Sequence, residues 1–328
     1  MKSNRICATF GLFLALAVGH AAGQERVARV GWLMLQASGP YSEFTSRGFV
    51  KGLREAGYVE GRNLEFVTRA APQGDLRQLR PLAREIVAEK VDVIFAPAKP
   101  MADAAWYASR RIPTVIATVT DPVLVDYAVS LARPGKHITG VTTANAELIG
   151  KRLQLLTELI PGIKRVGTFI DPALLASCEE EVRLMDLSAI RLGLTLVRIP
   201  VDASRVDFDA ALRAAHAAKV QAVMTAPMTS NQEITGPLAR FALESRMPFM
   251  HDVPQLAGDA ILVYGPDFED IYRRAGHYVA RILKGEKPAE MAIEEPREFR
   301  LIVNAKVARQ LGIAVPQAML LRADKVIE

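Results

Sequence analysis

From Arg26 onward the chain alternates between two hydrophobic rhythms. Short apolar, β-rich runs (RVARVGWLML, NLEFVTR, VDVIFAP, IPTVIATVTD) are separated by segments with helical spacing: SEFTSRGFVKGLREAG with its glycine stop, LRQLRPLAREIVAEK and MADAAWYASRR. Strands alternating with helices of this length predict βαβ units and a parallel sheet covered on both faces.

The order then repeats. ARVGWLM (28–34) is echoed by KRVGTFI (164–170), REAGYVEGRNLEF by IRLGLTLVRI, AEKVDVIFAP by AAKVQAVMTAP and RRIPTVI by SRMPFMH. Gly31 to Gly167 and Gly57 to Gly193 are each 136 residues apart, Lys90 to Lys219 is 129 and Pro113 to Pro248 is 135. One echo is within chance, since βα units reuse glycine stops. Four in the same order at nearly one spacing predict an α/β protein of two similar doubly wound parallel-sheet lobes.

Between the lobes lies LARPGKHITG (131–140), where a Pro-Gly turn and a second glycine punctuate the chain. We read it as the hinge crossing, with a tight turn inside one lobe as the alternative. FEDIYRRAGHYVARILKG has no place in the repeat and is expected to return to the first lobe. A tail that crosses again would make a multi-strand hinge. The expected division is a first lobe of residues 27–139 plus about 265–290, and a second of 140–264 plus about 291–328.

The N-terminus follows a different pattern. Lys2 and Arg5 precede the uncharged run Ile6 to Val18 and then small residues, the layout of a signal peptide (1–23) cleaved after Ala21 or Gly23. Thirteen residues fall short of the roughly 20 that span a bilayer. Periplasmic export is therefore expected. Losing Lys2 and Arg5 leaves 39 of the 41 basic side chains against 36 acids, a net charge of about +3. With no dense basic run, nucleic acid is not an expected partner. Cys7 leaves with the leader, so Cys178 has no intramolecular disulfide partner and reads as a small packed thiol.

Candidate chemistry is sparse. His137, His216, His251 and His277 show no metal-ligand spacing, and His216 reads as a helix-surface or packing residue. No nucleophile elbow, phosphate-binding loop or dinucleotide fingerprint occurs, so neither a cofactor nor catalytic residues are expected. What remains is the cleft beyond the carboxyl ends of the strands, where open parallel sheets bind ligands. Those ends carry LQASGPY, PAKPM and TVTDP in the first lobe, and IDPALLAS, APMTSN and HDVPQ in the second. They nominate Ser38, Gly39, Tyr41, Ala98, Lys99, Thr120, Asp121, Asp171, Met228, Asp252 and Tyr264. Each aspartate could hold a ligand ammonium or serve as a turn or cap residue. Tyr41 and Tyr264 could be apolar walls, while mid-helix Trp106 reads as core.

The chain resembles the ABC-transporter substrate-binding family whose better-known members bind tryptophan or related aromatic amino acids. The resemblance runs from about Arg29 to Glu328. It is carried by GLREAGYVEGRNLEF, DPVLVDYAVSLARPGKHITGV, ELIGKRLQLLTELIPG, YGPD, ILKGEKPAEMAIEEPREFRLIVNAKVARQLGI and LLRADKVIE. It implies a type I periplasmic-binding fold that closes on a small ligand and docks on a membrane permease; a monomer is expected. Two departures stand out. Pro97-Ala98-Lys99-Pro100 replaces a Gly-Gly-Thr-Pro-like turn, and Asp171-Pro172 stands where Asn-Pro is usual. Lysine cannot cap a helix as threonine can, so Lys99 either reaches toward a ligand carboxylate or points into solvent. Two other classes share this architecture. A repressor effector domain needs a helix-turn-helix ahead of Arg29, where the leader-like stretch stands. An exported α/β enzyme could use the same cleft.

Overall fold

A computed structural model describes residues 26–120, 125–143, 145–170, 172, 179–201, 207–225 and 235–328. The leader-like N-terminus, Asp121, Asp171, Cys178 and Met228 lie outside the described residues.

The first sheet contains β1 (Ala28–Met34), β2 (Leu64–Ala70), β3 (Val93–Phe95), β4 (Thr114–Val119) and β5 (Ile138–Thr142), all parallel, in the order β2-β1-β3-β4-β5. Helix α1 (Pro40–Glu55) covers one face. Helices α2 (Leu79–Ala88) and α3 (Lys99–Ala108) cover the other. The second sheet contains β6 (Arg165–Ile170), β7 (Thr195–Pro200), β8 (Ala222–Thr225), β9 (Phe249–His251), β10 (Leu262–Pro266), β11 (Phe299–Asn304) and β12 (Lys325–Ile327), in the order β12-β11-β10-β9-β8-β6-β7. Only the β10–β11 pair is antiparallel. Helices α4 (Asn145–Leu159) and α5 (Glu179–Arg191) lie on one face, and α6 (Phe208–Ala217) and α7 (Thr235–Glu244) on the other.

The echoes have physical causes. Gly31 and Gly167 sit mid-strand where a Cβ would come within 2.3 Å of Ile86 and 2.7 Å of Ile199, so both strands need a bare backbone beneath a packed aliphatic. Gly57 and Gly193 end helices at φ 95° and 65°. Lys90 and Lys219, at φ 55° and 52°, make the equivalent left-handed stop after α2 and α6. Each lobe thus builds its central strand between a second and a third strand in the same way.

The chain passes between sheets three times. β5 belongs to the first sheet through Thr142, so the residues 138–140 of the punctuated segment are strand and the crossing into α4 follows them. From β10 the chain returns as α8 (Phe268–Leu283), which packs beside α1 on the first sheet. Glu294 still lies along β5, its carbonyl accepting from the Thr142 amide at 2.8 Å. The chain then enters the second sheet at β11 and ends there with α9 (Ala305–Leu311), α10 (Gln317–Arg322) and β12.

Candidate binding site

The carboxyl ends of the two sheets meet. Phe44, on the first turns of α1 after β1, packs with Val253 and with Phe268 at the head of α8; Tyr41 and Leu256 border this cluster. Val253 and Leu256 follow β9 of the second sheet. Leu76, in the turn between β2 and α2, packs on the cores of both lobes. Loops after β1, β2 and β9 therefore face one another across the lobe boundary, where small ligands bind in open α/β sheets.

On the first lobe the nominated residues fall at neighbouring strand ends. Ser38 is exposed, and Gly39 is the residue before α1, at φ 123°. Tyr41 stands edge-on to Phe44, Phe268 and Tyr272, with centroids 5.3, 5.9 and 6.4 Å away. Tyr272 shares hydrogen bonds with Tyr41 and Thr118, yet burial pushes its phenol up to about 12. Half-buried Thr120 ends the β4 segment. Ala98 precedes α3 without a side-chain cap, and Lys99 opens the helix ahead of Pro100.

The Lys99 ammonium is neither free in solvent nor a lone charge. It donates to Asp103 Oδ2 at 2.9 Å, one turn along the same helix, and its side chain is 18% exposed. The other Asp103 oxygen accepts from the Tyr127 hydroxyl, whose pKa is driven upward by burial and then by the Asp103 charge. A cation half-neutralised in this way can still orient a ligand carboxylate, but with less field than an unpaired lysine.

The second lobe departs more from expectation. Asp252 is 2% exposed and accepts from Thr225 Oγ1 at 2.9 Å. Beside it, His251 Nδ1 lies 2.9 Å from the Val253 amide and 3.2 Å from the Val253 carbonyl, and its Nε2 stands 4.0 Å from the Asp252 carboxylate. Burial holds His251 below its ordinary pKa, against the pull of Asp252. Arg152 of α4 is 1% exposed and donates from Nε to the Tyr264 carbonyl at 2.8 Å, two residues before β10 ends. Burial lowers its pKa too, opposed first by Asp252. Asp252 is thus buried and hydrogen-bonded to Thr225, within the electrostatic reach of Arg152. The Tyr264 ring packs on the α4 side of the sheet, 6.2 Å from Phe299.

Sequence reasoning missed Phe44, Phe268, Tyr272, Arg152 and His251 as part of this region. The first three needed α8 to be placed against α1. Arg152 carried no signal, because a charged side chain inside an amphipathic helix reads as surface. Among the described residues no group of three His, Cys, Asp or Glu could hold a metal, and no helix is long and apolar enough to cross a membrane.

Two βαβ lobes joined by three crossings, with polar and aromatic loops meeting at their strand ends, define a two-lobed binding protein. The chain belongs to the ABC transporter substrate binding protein family, whose model matches residues 34–327. It is 26% identical over 276 residues to a tyrosine-binding protein of Clostridioides difficile strain R20291, covering 84% of this chain and 78% of that one. Among solved structures it is similar to a conserved domain protein of Vibrio cholerae, with a TM-score of 0.80, 28% identity, and 92% of this chain and all of that one covered. It also resembles a Streptococcus pneumoniae domain in complex with L-Trp, with a TM-score of 0.79, 22% identity, and 92% and 99% coverage. The chain is therefore a substrate-binding protein of the ABC transporter class and not an enzyme.

Proposed function

We propose that this protein is the exported, periplasmic receptor of an ABC importer, freed from its leader and monomeric, which captures an amino acid or related carboxylate between its lobes. The observation that carries this reading is the meeting of the β1, β2 and β9 loops across the lobe boundary. A tyrosine-binding relative and an L-Trp complex of the same fold support an aromatic side chain on the ligand. Tyr41, backed by Phe44, Phe268 and Tyr272, offers that side chain an aromatic wall. The ligand carboxylate would lie near Lys99 and the uncapped first amides of α3. Its ammonium would find Asp121 or Asp171, since Asp252 is buried and hydrogen-bonded to Thr225 within the second lobe. Ligand that binds the closed arrangement better shifts the population toward it, and the closed form engages the permease.

Thermal unfolding of residues 24–328 against amino acids and aromatic carboxylates tests the reading. A ligand at about 100 times its dissociation constant should stabilise by roughly 2.7 kcal/mol. Lys99→Ala should weaken binding of carboxylate ligands about tenfold, the loss of one charge-assisted hydrogen bond. A folded protein that responds to no amino acid or carboxylate would refute the ligand class, and unchanged affinity in Lys99→Ala would remove that residue from the site.

A further inference from the structure

Away from the cleft, the outer face of α2 and α3 gathers exposed arginines without acid partners among the described residues. Several arginines elsewhere on that lobe are matched with acids: Arg29 with Glu65, Arg47 with Glu269, Arg69 with Glu85 of α2 and Arg273 with Glu55. Arg80 and Arg84 on α2, Arg110 and Arg111 just past α3, and Arg133 in the loop before β5 are all exposed. Among the described residues, none of these five has a carboxylate partner.

Aromatic rings hold this face together. The Arg80 guanidinium lies 4.5 Å from the Tyr107 ring centre, and that of Arg110 lies 4.2 Å from Trp106. Trp106 stacks its ring on His137 at 4.8 Å, while the Lys136 ammonium, paired with the Asp126 carboxylate of its own loop, stands 5.6 Å from Trp106. Arg80 and Arg110 are thus anchored on neighbouring rings of one helix, and the Lys136 loop adjoins them. The local field is positive enough to act on a neighbour. His137 is held down to about 4, first by burial and then by Arg110 and Lys136. A stacked guanidinium keeps its N–H edge free for a phosphate. Apolar groups stand among these charges, for Tyr107 is 62% exposed and Val129, in the Lys136 loop, 69%.

We propose that this face, built from α2, the end of α3 and the 125–137 loop, binds anionic phospholipid and holds the receptor at the membrane surface. The basic groups are spread over three elements, with exposed apolar side chains between them. That suits a planar polyanion with an apolar interior better than a single acidic peptide. The face lies on the opposite side of the first sheet from α1 and α8, so lipid contact leaves Tyr41 and the aromatic cluster at the lobe boundary uncovered.

The test uses residues 24–328 in co-sedimentation with phosphatidylcholine vesicles, with and without phosphatidylglycerol. Binding that needs phosphatidylglycerol and falls with salt is expected. Each basic residue near an anionic surface adds roughly fivefold in affinity, so Arg80→Glu/Arg84→Glu/Arg110→Glu/Arg111→Glu should lose well over tenfold. The same charge change placed elsewhere, Arg191→Glu/Arg213→Glu/Lys306→Glu/Arg309→Glu, should lose far less. Should the first variant not fold, Arg110→Gln/Arg111→Gln is the milder form and should lose several-fold. Ligand-induced thermal shifts should be unchanged in the folded variants, so this proposal and the ligand assignment fail independently. No phosphatidylglycerol-dependent binding, or equal loss in the two four-site variants, would overturn it. So would binding only to phosphatidylcholine vesicles that carry the permease, which would assign the face to a protein partner.

Discussion

His137 and His251 show how burial sets the behaviour of single residues. Neither folded imidazole gains a charged partner that outweighs desolvation, so both are held below the ordinary value near 6.5. The sign follows directly. Between about pH 6.5 and the His137 value of about 4, the unfolded chain takes up a proton that the folded chain refuses, so stability falls as pH falls through that window. Urea unfolding at about pH 7 and about pH 5 should show a lower midpoint in acid, and His137→Phe, which keeps a ring against Trp106, should reduce the drop. An identical drop in both proteins would mean that His137 does not titrate as its surroundings imply. Asp252 teaches a complementary lesson. Its place at a strand end made it a ligand candidate in the sequence, while its partners, Thr225 and the field of Arg152, come from elements 27 and 100 residues away.

At the scale of elements, glycine can mean opposite things in two helices. A Cβ at Gly52 of α1 would stand 1.9 Å from the Arg273 carbonyl of α8, because these helices approach backbone to backbone. A Cβ at Gly150 of α4 would meet only Ser188, at an ordinary 3.6 Å. Alanine favours a helix interior by up to about 1 kcal/mol over glycine. Gly150→Ala should therefore stabilise by that order, whereas Gly52→Ala should destabilise by about 1–3 kcal/mol through overpacking. Denaturant midpoints of the two variants check both signs. The repeat itself was legible at this scale. Gly31 and Gly167, Gly57 and Gly193, and Lys90 and Lys219 stand out in the sequence because each pair meets the same steric demand in its lobe. The α1–α8 approach was not legible, since Gly48, Gly52 and Gly276 look like weak points of amphipathic helices until the helices are paired.

For the whole molecule, the question is what keeps the lobes together. Phe44, Val253 and Phe268 form an apolar contact where α1, the β9 loop and the α8 crossing meet, and Leu76 makes a separate one from the first lobe to the second-lobe core. Leu76 stands on a turn at the edge strand β2, at the far edge of the sheet from the β5 crossing. Replacing it with serine removes apolar burial worth about 1–2 kcal/mol from the arrangement in which the lobes touch. Leu76→Ser should therefore enlarge the radius of gyration of the ligand-free protein in solution scattering and weaken ligand binding at least severalfold. No change in either would show that Leu76 does not hold the lobes.

The sequence by itself determined the α/β class, the two-fold repeat of βαβ units and the resemblance to a family. Those depend on local periodicity, on glycines and left-handed lysines at helix ends, and on motifs that run along the chain. It also pointed to the strand ends that form the first-lobe side of the candidate site, because parallel sheets leave those ends open. Only the tertiary structure decided which charges are available there. It ties Lys99 to Asp103 and Asp252 to Thr225 beside Arg152, and it brings Phe268 and Tyr272 of α8 to Tyr41. The physical reason is that charge compensation and desolvation depend on distances between segments far apart in the chain, which no local pattern records.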